Sequence, residues 1–426
     1  MKRLLLVVAL AATAISVVGF AGSSSASQRK TIAITMWSGQ VDLAAKSLQK
    51  LGASYNASHP GVKVTIALGA PADKMVQKLE AALSGGKYPD IAYVFGSDAA
   101  NVAQAEQVVD ISDDVKATKT SWNDFYKAGR DTATVGGKVI GFPAVIDDLA
   151  VVYNKKLLKQ AGVAPPKASW TWDDFRAMAK KLTNASSGTY GTGYPGAGGE
   201  DTVWRLWPMI WQQGGEILDT SGKKAAFQGA QGIKALTLLQ QMAVKDRSMS
   251  IDLAESSDKL YGLFNSGKMA MVVTGPWQLG TITEAGIDYG VQVLPGYGGS
   301  HETIAGPDDW VVFDHGDDAR RRAAVDFLAW LHEPAQDLQF DLDTGSLPLR
   351  LGTTKLPAFK RYYAKYPGVE LFVKNLRNAK HIRPTIPQYT QLSQAIGKGI
   401  GAVLIGRGEP KSALAAAAKT VDGALK

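Results

Sequence analysis

The sequence predicts an α/β protein, built as two units, each a mostly parallel sheet flanked by helices. Three observations carry this. Thr31 to Phe95 reads strand, helix, strand, helix, strand, the order that lays parallel strands beneath covering helices. The same alternation returns from Leu149. And 426 residues are more than one hydrophobic core commonly organises, at about 150 residues per domain.

Element by element, Thr31 to Met36 is a strand, after which Ala44, Leu48, Leu51 and Tyr55 recur at helical spacing until Pro60. Val62, Val64, Ile66 and Leu68 alternate, as in a strand with one buried face. Met75, Val76, Leu79 and Leu83 mark a second helix, Gly85-Gly86 ends it, and Ile91 to Phe95 is an apolar strand. Leu149 to Tyr153 is a strand, and Lys155 to Ala161 a helix stopped by Gly162. Thr171 and Asp174 form a capping-box start for a helix through Leu182. Met269 to Val273, Val291 to Leu294 and Trp310 to Phe313 are further short strands. Ala324, Phe327, Leu328 and Leu331 line one helix face, and the last hundred residues are mainly helical, ending in Lys411 to Leu425. With no internal repeat or low-complexity linker, the two units share strands and chain crossings.

Residues 1–26 read as a cleavable secretory signal. Lys2-Arg3 precede an apolar run from Leu4 to Phe20 and small residues from Ala21 to Ser27, with the cut expected after Ala26. The mature protein is expected to be exported and soluble. The absence of cysteine excludes thiol catalysis, a disulfide framework, Cys-ligated zinc and an acyl-cysteine anchor. Lys and Arg number 47 against 39 Asp and Glu, but they are dispersed, with short clusters such as Arg320-Arg321-Arg322. That pattern is a solvated surface and argues against nucleic acid as a partner. The five histidines have no metal-like spacing, so neither a metal nor a cofactor is expected. Neither GxxxxGK[ST] nor GxSxG occurs. Asp147-Asp148 and Asp308-Asp309 are adjacent acid pairs, but neighbours on a strand face opposite ways, so neither is by itself a general acid/base couple. A glycosidase pair assembled from distant carboxylates remains open.

The tryptophans are more informative. Trp37 ends the first strand, Trp277 follows Gly275-Pro276 after another, and Trp310 opens a strand after Gly306-Pro307. Ligands of open α/β sheets sit beyond the carboxyl ends of strands, where an indole can cover the C–H face of a sugar. Trp170, Trp172, Trp207, Trp211 and Trp330 fall within helical spacing and read as packing residues.

Several segments, in order along nearly the whole mature chain, resemble one family. They are TMWSGQ, GGKYPDIAYV (85–94), GFPAVIDDLAVVYNKKLLKQAGV (141–163), SWTWDDF (169–175), LFNSGKMAMVVTGPW (263–277), TGSLPLR (344–350) and RPTIPQY (383–389). The chain is similar to the maltose-binding-like extracellular solute-binding proteins of ABC sugar importers. The resemblance implies a two-lobe periplasmic-binding-protein fold (type II) with a ligand cleft between lobes and hinge closure. Residues 27–144 plus 284–334 would form the N-terminal lobe, and 145–283 plus 335–426 the C-terminal lobe. It implies a monomer, not an enzyme, that hands a di- or oligosaccharide to ABC transporter permease subunits. The missing lipobox cysteine points to a periplasmic or freely secreted protein.

Carried over residue by residue, the resemblance puts Trp37, Ser38 and Asp98 (in FGSD) at the cleft from the first lobe. Asp147 is the preferred sugar-hydroxyl acceptor, with Asp148 beside it, and Trp277 is the preferred stacking residue. Gly306 and Trp310 would open a cleft-facing strand, and Arg350 and Arg383 would direct guanidinium groups inward. Tyr194, Glu200, Asp201 and Trp204 would shape specificity from the second lobe. Two alternatives stay open: glycerol 3-phosphate or a glycerophosphodiester as ligand, or a secreted glycoside hydrolase.

Overall fold

A computed structural model describes residues 31–254 and 257–426, so the expected signal, 1–26, lies outside the described residues. The alternating valines and isoleucine of β2 (Val62–Leu68) zip in parallel onto β1 (Ile32–Ser38), from Ile32 opposite Val62 to Ser38 opposite Leu68. β3 (Ile91–Phe95) joins the other side of β1 in parallel. The crossing helices Asp42–Ser58 and Met75–Ser84 bury Leu48, Leu51 and Tyr55, and Met75, Val76 and Leu79, at the predicted spacing. A small hairpin, β4 (Thr134–Val135) and β5 (Lys138–Val139), turns at Gly136-Gly137 and leads into β6 (Gly141–Val145).

The chain then crosses into a second body. It holds β7 (Ala150–Asn154), β8 (Thr192–Pro195), β9 (Met249–Asp252), β10 (Met271–Thr274) and β11 (Tyr289–Val293). After β12 (Thr303–Ala305) the chain returns as β13 (Asp308–Val312), and β14 (Ala379–Ile382) later pairs with β12. β13 inserts antiparallel between β3 and β6, giving the sheet order β2-β1-β3-β13-β6.

The second body departs from the expected parallel pattern. β10 and β11 both run antiparallel to β7, which lies between them. The reason is connectivity: β10 and β11 are joined through the helix Leu279–Glu284 and so point the same way, while β7 enters from the other lobe and opposes both. β8 and β9 do pair in parallel. The expected lobe division also shifts at two places. β11 belongs to the β7 sheet, although 284–334 were assigned to the first lobe. The helix Pro334–Thr344 packs on Asp42–Ser58, with Ser47 Oγ donating to Asp343 Oδ2 at 2.9 Å, although 335–426 were assigned to the second lobe.

The capping box forms as read: Asp174 N donates to Thr171 Oγ1 (3.1 Å) and Thr171 N to Asp174 Oδ2 (2.8 Å). Trp170, Trp172, Trp207 and Trp211 are buried in the second core. Three segments meet between the lobes, at 146–149, 303–307 and 379–383. They are tied by Gly306 N to Asp147 O (2.8 Å), Leu149 N to Thr303 Oγ1 (3.1 Å) and the β12–β14 ladder. Among the described residues no helix is long and apolar enough to cross a membrane.

Candidate functional site: the interlobe cleft

Parallel strands end on one edge of a sheet, and there β3 gives way to the turn Gly96–Asp98. Phe95, Ser97 and Asp98, with Lys74 and Gln77, form one wall of a cavity of about 190 Å³. The opposite wall comes from the second lobe. It consists of the Ala197–Glu200 loop after β8 and one face of the helix Tyr389–Leu404, bearing Tyr389, Thr390, Ser393 and Lys398.

Two carboxyl groups face this space from opposite lobes. Asp98, 7% exposed, accepts from Thr390 Oγ1 at 2.7 Å, a hydrogen bond that joins the lobes directly. Burial pushes its carboxyl up to about 6, and the Thr390 bond and the Arg383 charge resist that rise. Glu200 accepts from Tyr389 OH (2.9 Å) and Ser393 Oγ (2.6 Å). Burial outweighs both bonds and the Arg383 charge, taking Glu200 up to about 8. At neutral pH Glu200 is therefore largely a neutral acid, able to donate as well as accept.

Arg383 stands where the walls meet. Its Nη2 donates to Pro307 O (2.9 Å) and Asp308 Oδ1 (2.6 Å), and its Nη1 lies 4.0 Å from Glu200 Oε1. Its guanidinium carbon sits 5.2 Å from the Phe95 ring and 5.7 Å from the Trp204 ring, so aromatic rings from both lobes flank it. Trp204 in turn lies 5.8 Å from Trp277, the rings tilted by 31°. Burial, with Asp308 adding, raises Asp147 well above the usual carboxylate range. Its Oδ1 is buried without a hydrogen-bond partner among the described residues. Asp308 and Asp309 face opposite sides of β13 as read from the sequence, one bonded to Arg383 and the other to Thr132 Oγ1 (3.2 Å).

The structure thus gathers Asp98, Glu200 and Arg383 at the cleft, with Asp147, Gly306, Trp204 and Trp277 adjoining. Other expected residues lie elsewhere. Trp310 is 2% exposed in the first core, its ring 5.4 Å from Tyr93, because its side chain stands on the face of the sheet that packs into the cluster holding Tyr93 and Phe142. Arg350 is a strap within the first lobe: it donates to Asp124 Oδ2 (3.1 Å) and His332 O (2.9 Å) and lies over Phe125. Asp148 is fully buried in the hinge, with no hydrogen-bond partner for either oxygen among the described residues. Tyr194 is buried with its OH donating to Thr202 O (2.9 Å), and Asp201 pairs with the buried Arg205. Trp37, beneath Lys78 Nζ at 4.4 Å, and Ser38, accepting from Gln40 N, do not line this cavity; nor do Trp204 and Trp277, of which Trp204 connects to it through Arg383 and Trp277 through Trp204. Sequence reasoning gave no cleft role to Ser97, whose Oγ is buried without a partner among the described residues, nor to Thr390, Ser393 and Asp308, the last noted only as one of an acid pair. Ser97 lay in the FGSD turn already singled out, while the Tyr389–Leu404 helix carried no signal beyond amphipathic spacing.

Two bodies joined by several chain crossings, with polar side chains from both converging on a shared cavity, define a two-lobe solute-binding protein. The chain belongs to the bacterial extracellular solute-binding protein family, whose sequence profile matches residues 50–367. It is 26% identical to a binding protein of Brucella abortus (strain 2308), over 88% of each chain. It is 22% identical to the sn-glycerol-3-phosphate-binding periplasmic protein UgpB of Pectobacterium atrosepticum, over 97% of this chain and 96% of that one. Its fold is similar to the cyclic alpha-maltosyl-1,6-maltose binding protein of Arthrobacter globiformis (TM-score 0.75, 25% identity, 93% of this chain and 99% of that one). It is also similar to UgpB of Mycobacterium tuberculosis, solved with glycerophosphocholine (TM-score 0.83, 18% identity, 92% and 98%).

Proposed function

We propose that the protein captures a neutral polyhydroxylated solute, a di- or oligosaccharide, between its lobes and delivers it chemically unaltered to the permease subunits of an ABC transporter. It would do so as a monomer outside the cytoplasm. The observation that carries the choice of ligand is the state of Arg383. Its guanidinium is bonded to Asp308 and Pro307 O and flanked by two rings, while the nearby acids Asp98 and Glu200 are held partly or largely protonated. Such a surface offers hydroxyl-compatible donors and acceptors, and the Arg383 charge is already paired with Asp308. Trp277, half-buried beside Trp204, supplies an apolar face for a sugar ring. Ligand contacts to both walls, available only when the lobes are closed, would shift the population toward the closed form. A glycerophosphodiester is the second reading, favoured by Lys74 and Lys398 on opposite walls of the same cavity and by the relatives named UgpB.

A thermal-shift panel of sugars, polyols and glycerophosphates tests the choice. A solute at 100 times its dissociation constant adds about 2.7 kcal/mol of stability. Stabilisation by glycerophosphates and by no sugar overturns the ligand, and recovery of a hydrolysed sugar by mass spectrometry overturns the binding-protein reading.

A further inference from the structure

Two Gly-Pro dipeptides border the aromatic side of the cleft, Gly275-Pro276 after β10 and Gly306-Pro307 between β12 and β13. Neither glycine is demanded by its backbone. Gly275 has φ −108° and ψ −178°, extended values open to any residue, and Gly306 is not among the glycines with positive φ. Space is what each provides. A Cβ on Gly275 would lie 1.8 Å from Trp277 Cζ3 and 2.3 Å from its Cε3. A Cβ on Gly306 would lie 2.8 Å from Trp204 Cζ3 and 3.2 Å from its Cη2. The volume of each missing side chain is filled by an indole.

These seats cannot easily give way. The following proline stiffens the chain and keeps the glycine before it extended. Gly306 N is bonded to Asp147 O at 2.8 Å, and Pro307 O accepts from Gly96 N (3.1 Å) and from Arg383 Nη2 (2.9 Å). We propose that Gly275-Pro276 and Gly306-Pro307 are matched seats that set the planes of Trp277 and Trp204, making Gly275 and Gly306 positioning residues for the aromatic wall. This rests on the sugar-binding reading, since stacking on a pyranose rewards an indole whose plane is set beforehand. The two seats act in series: Gly306 aligns Trp204, and Trp204 backs Trp277 at 5.8 Å.

The test uses the full chain labelled with 5-fluorotryptophan, with the Trp204 and Trp277 ¹⁹F resonances assigned from Trp204→Phe and Trp277→Phe. Gly306→Ala is expected to move the Trp204 resonance, and Gly275→Ala that of Trp277, with the lines of Trp170 and Trp330 unmoved. Maltose affinity, by calorimetry, is expected to fall roughly tenfold in each. Should Gly275→Ala fail to fold, Gly306→Ala, with the milder close approach, carries the test. Combining Gly306→Ala with Trp204→Phe is expected to restore part of the affinity, because the smaller ring vacates the seat. An unmoved Trp204 resonance in Gly306→Ala, or a moved resonance with unchanged maltose affinity, overturns the proposal. If the unaltered protein binds no maltose, the ¹⁹F shifts still judge the seats, and only the ligand reading fails.

Discussion

Replacing Arg383 by methionine removes the cation at the junction of the lobes while keeping much of the apolar stem. Asp308 then loses its partner at 2.6 Å, Pro307 O loses a donor, and Glu200 loses the charge at 4.0 Å. Breaking one side of a buried ion pair costs about 3–5 kcal/mol. Losing the contacts with Phe95 and Trp204 adds on the order of 1 kcal/mol, which the methionine stem partly recovers. A net loss of about 4 kcal/mol corresponds to a thermal midpoint lowered by roughly 5 °C in a chain of this size. The assay is thermal unfolding by circular dichroism at pH 5 and pH 8. The drop is expected to be larger at pH 8, because Glu200 titrates at about 8 and is protonated at pH 5 with or without Arg383. Arg383→Lys is expected not to restore the midpoint, since an ammonium lacks the planar fork that lies between two rings. A midpoint within about 1 °C of the unaltered protein at pH 8, or an equal drop at both pH values, would mean that Arg383 does not hold the lobe junction together.

Trp277→Ala is expected to weaken binding of the stabilising sugar roughly tenfold or more while leaving the thermal midpoint nearly unchanged; an unaltered calorimetric dissociation constant removes it from the site. Thr390→Val deletes the hydroxyl that Asp98 accepts at 2.7 Å across the cleft, so solution scattering of the solute-free protein is expected to show a larger radius of gyration; an identical radius contradicts an interlobe latch. Asp98 and Glu200 titrate at about 6 and about 8, above their ordinary 3.8 and 4.5, so the folded chain holds protons the unfolded chain has released. Their stabilising contribution is full below the ordinary values and fades as pH rises through 6 and then 8, at up to about 1.4 kcal/mol per pH unit per proton. Glu200→Gln is expected to flatten the decline above pH 6, and an unchanged slope counts against the burial of Glu200. On the acid side, burial and Arg350 depress His332 to about 3, so it withdraws stability as pH falls below 6.5, and His332→Gln is expected to soften that loss in denaturant titrations.

Local physics reached far along this chain. Two-residue alternation in Val62, Val64 and Ile66 and helical spacing in Leu48, Leu51 and Tyr55 are properties of near neighbours, and those elements form where they were read. The Thr171–Asp174 box and the opposite facing of Asp308 and Asp309 also depend on residues a few positions apart. The expectation that strand ends border the cleft also follows from parallel strands finishing on one edge, and Asp98 lies in the turn just after β3. Chemically identical side chains were another matter. Arg350 and Arg383 look alike in sequence, yet one is consumed by Asp124 and His332 O within a lobe, while the other meets Asp308 and Glu200 between lobes. Trp310 and Trp204 divide in the same way, because Trp310 packs with Tyr93 and Phe142 inside one lobe while Trp204 meets Arg383 where the lobes join. The cleft is closed by pairs such as Asp98 and Thr390, 292 positions apart, and only packing of the whole chain chooses among so many equivalent partners.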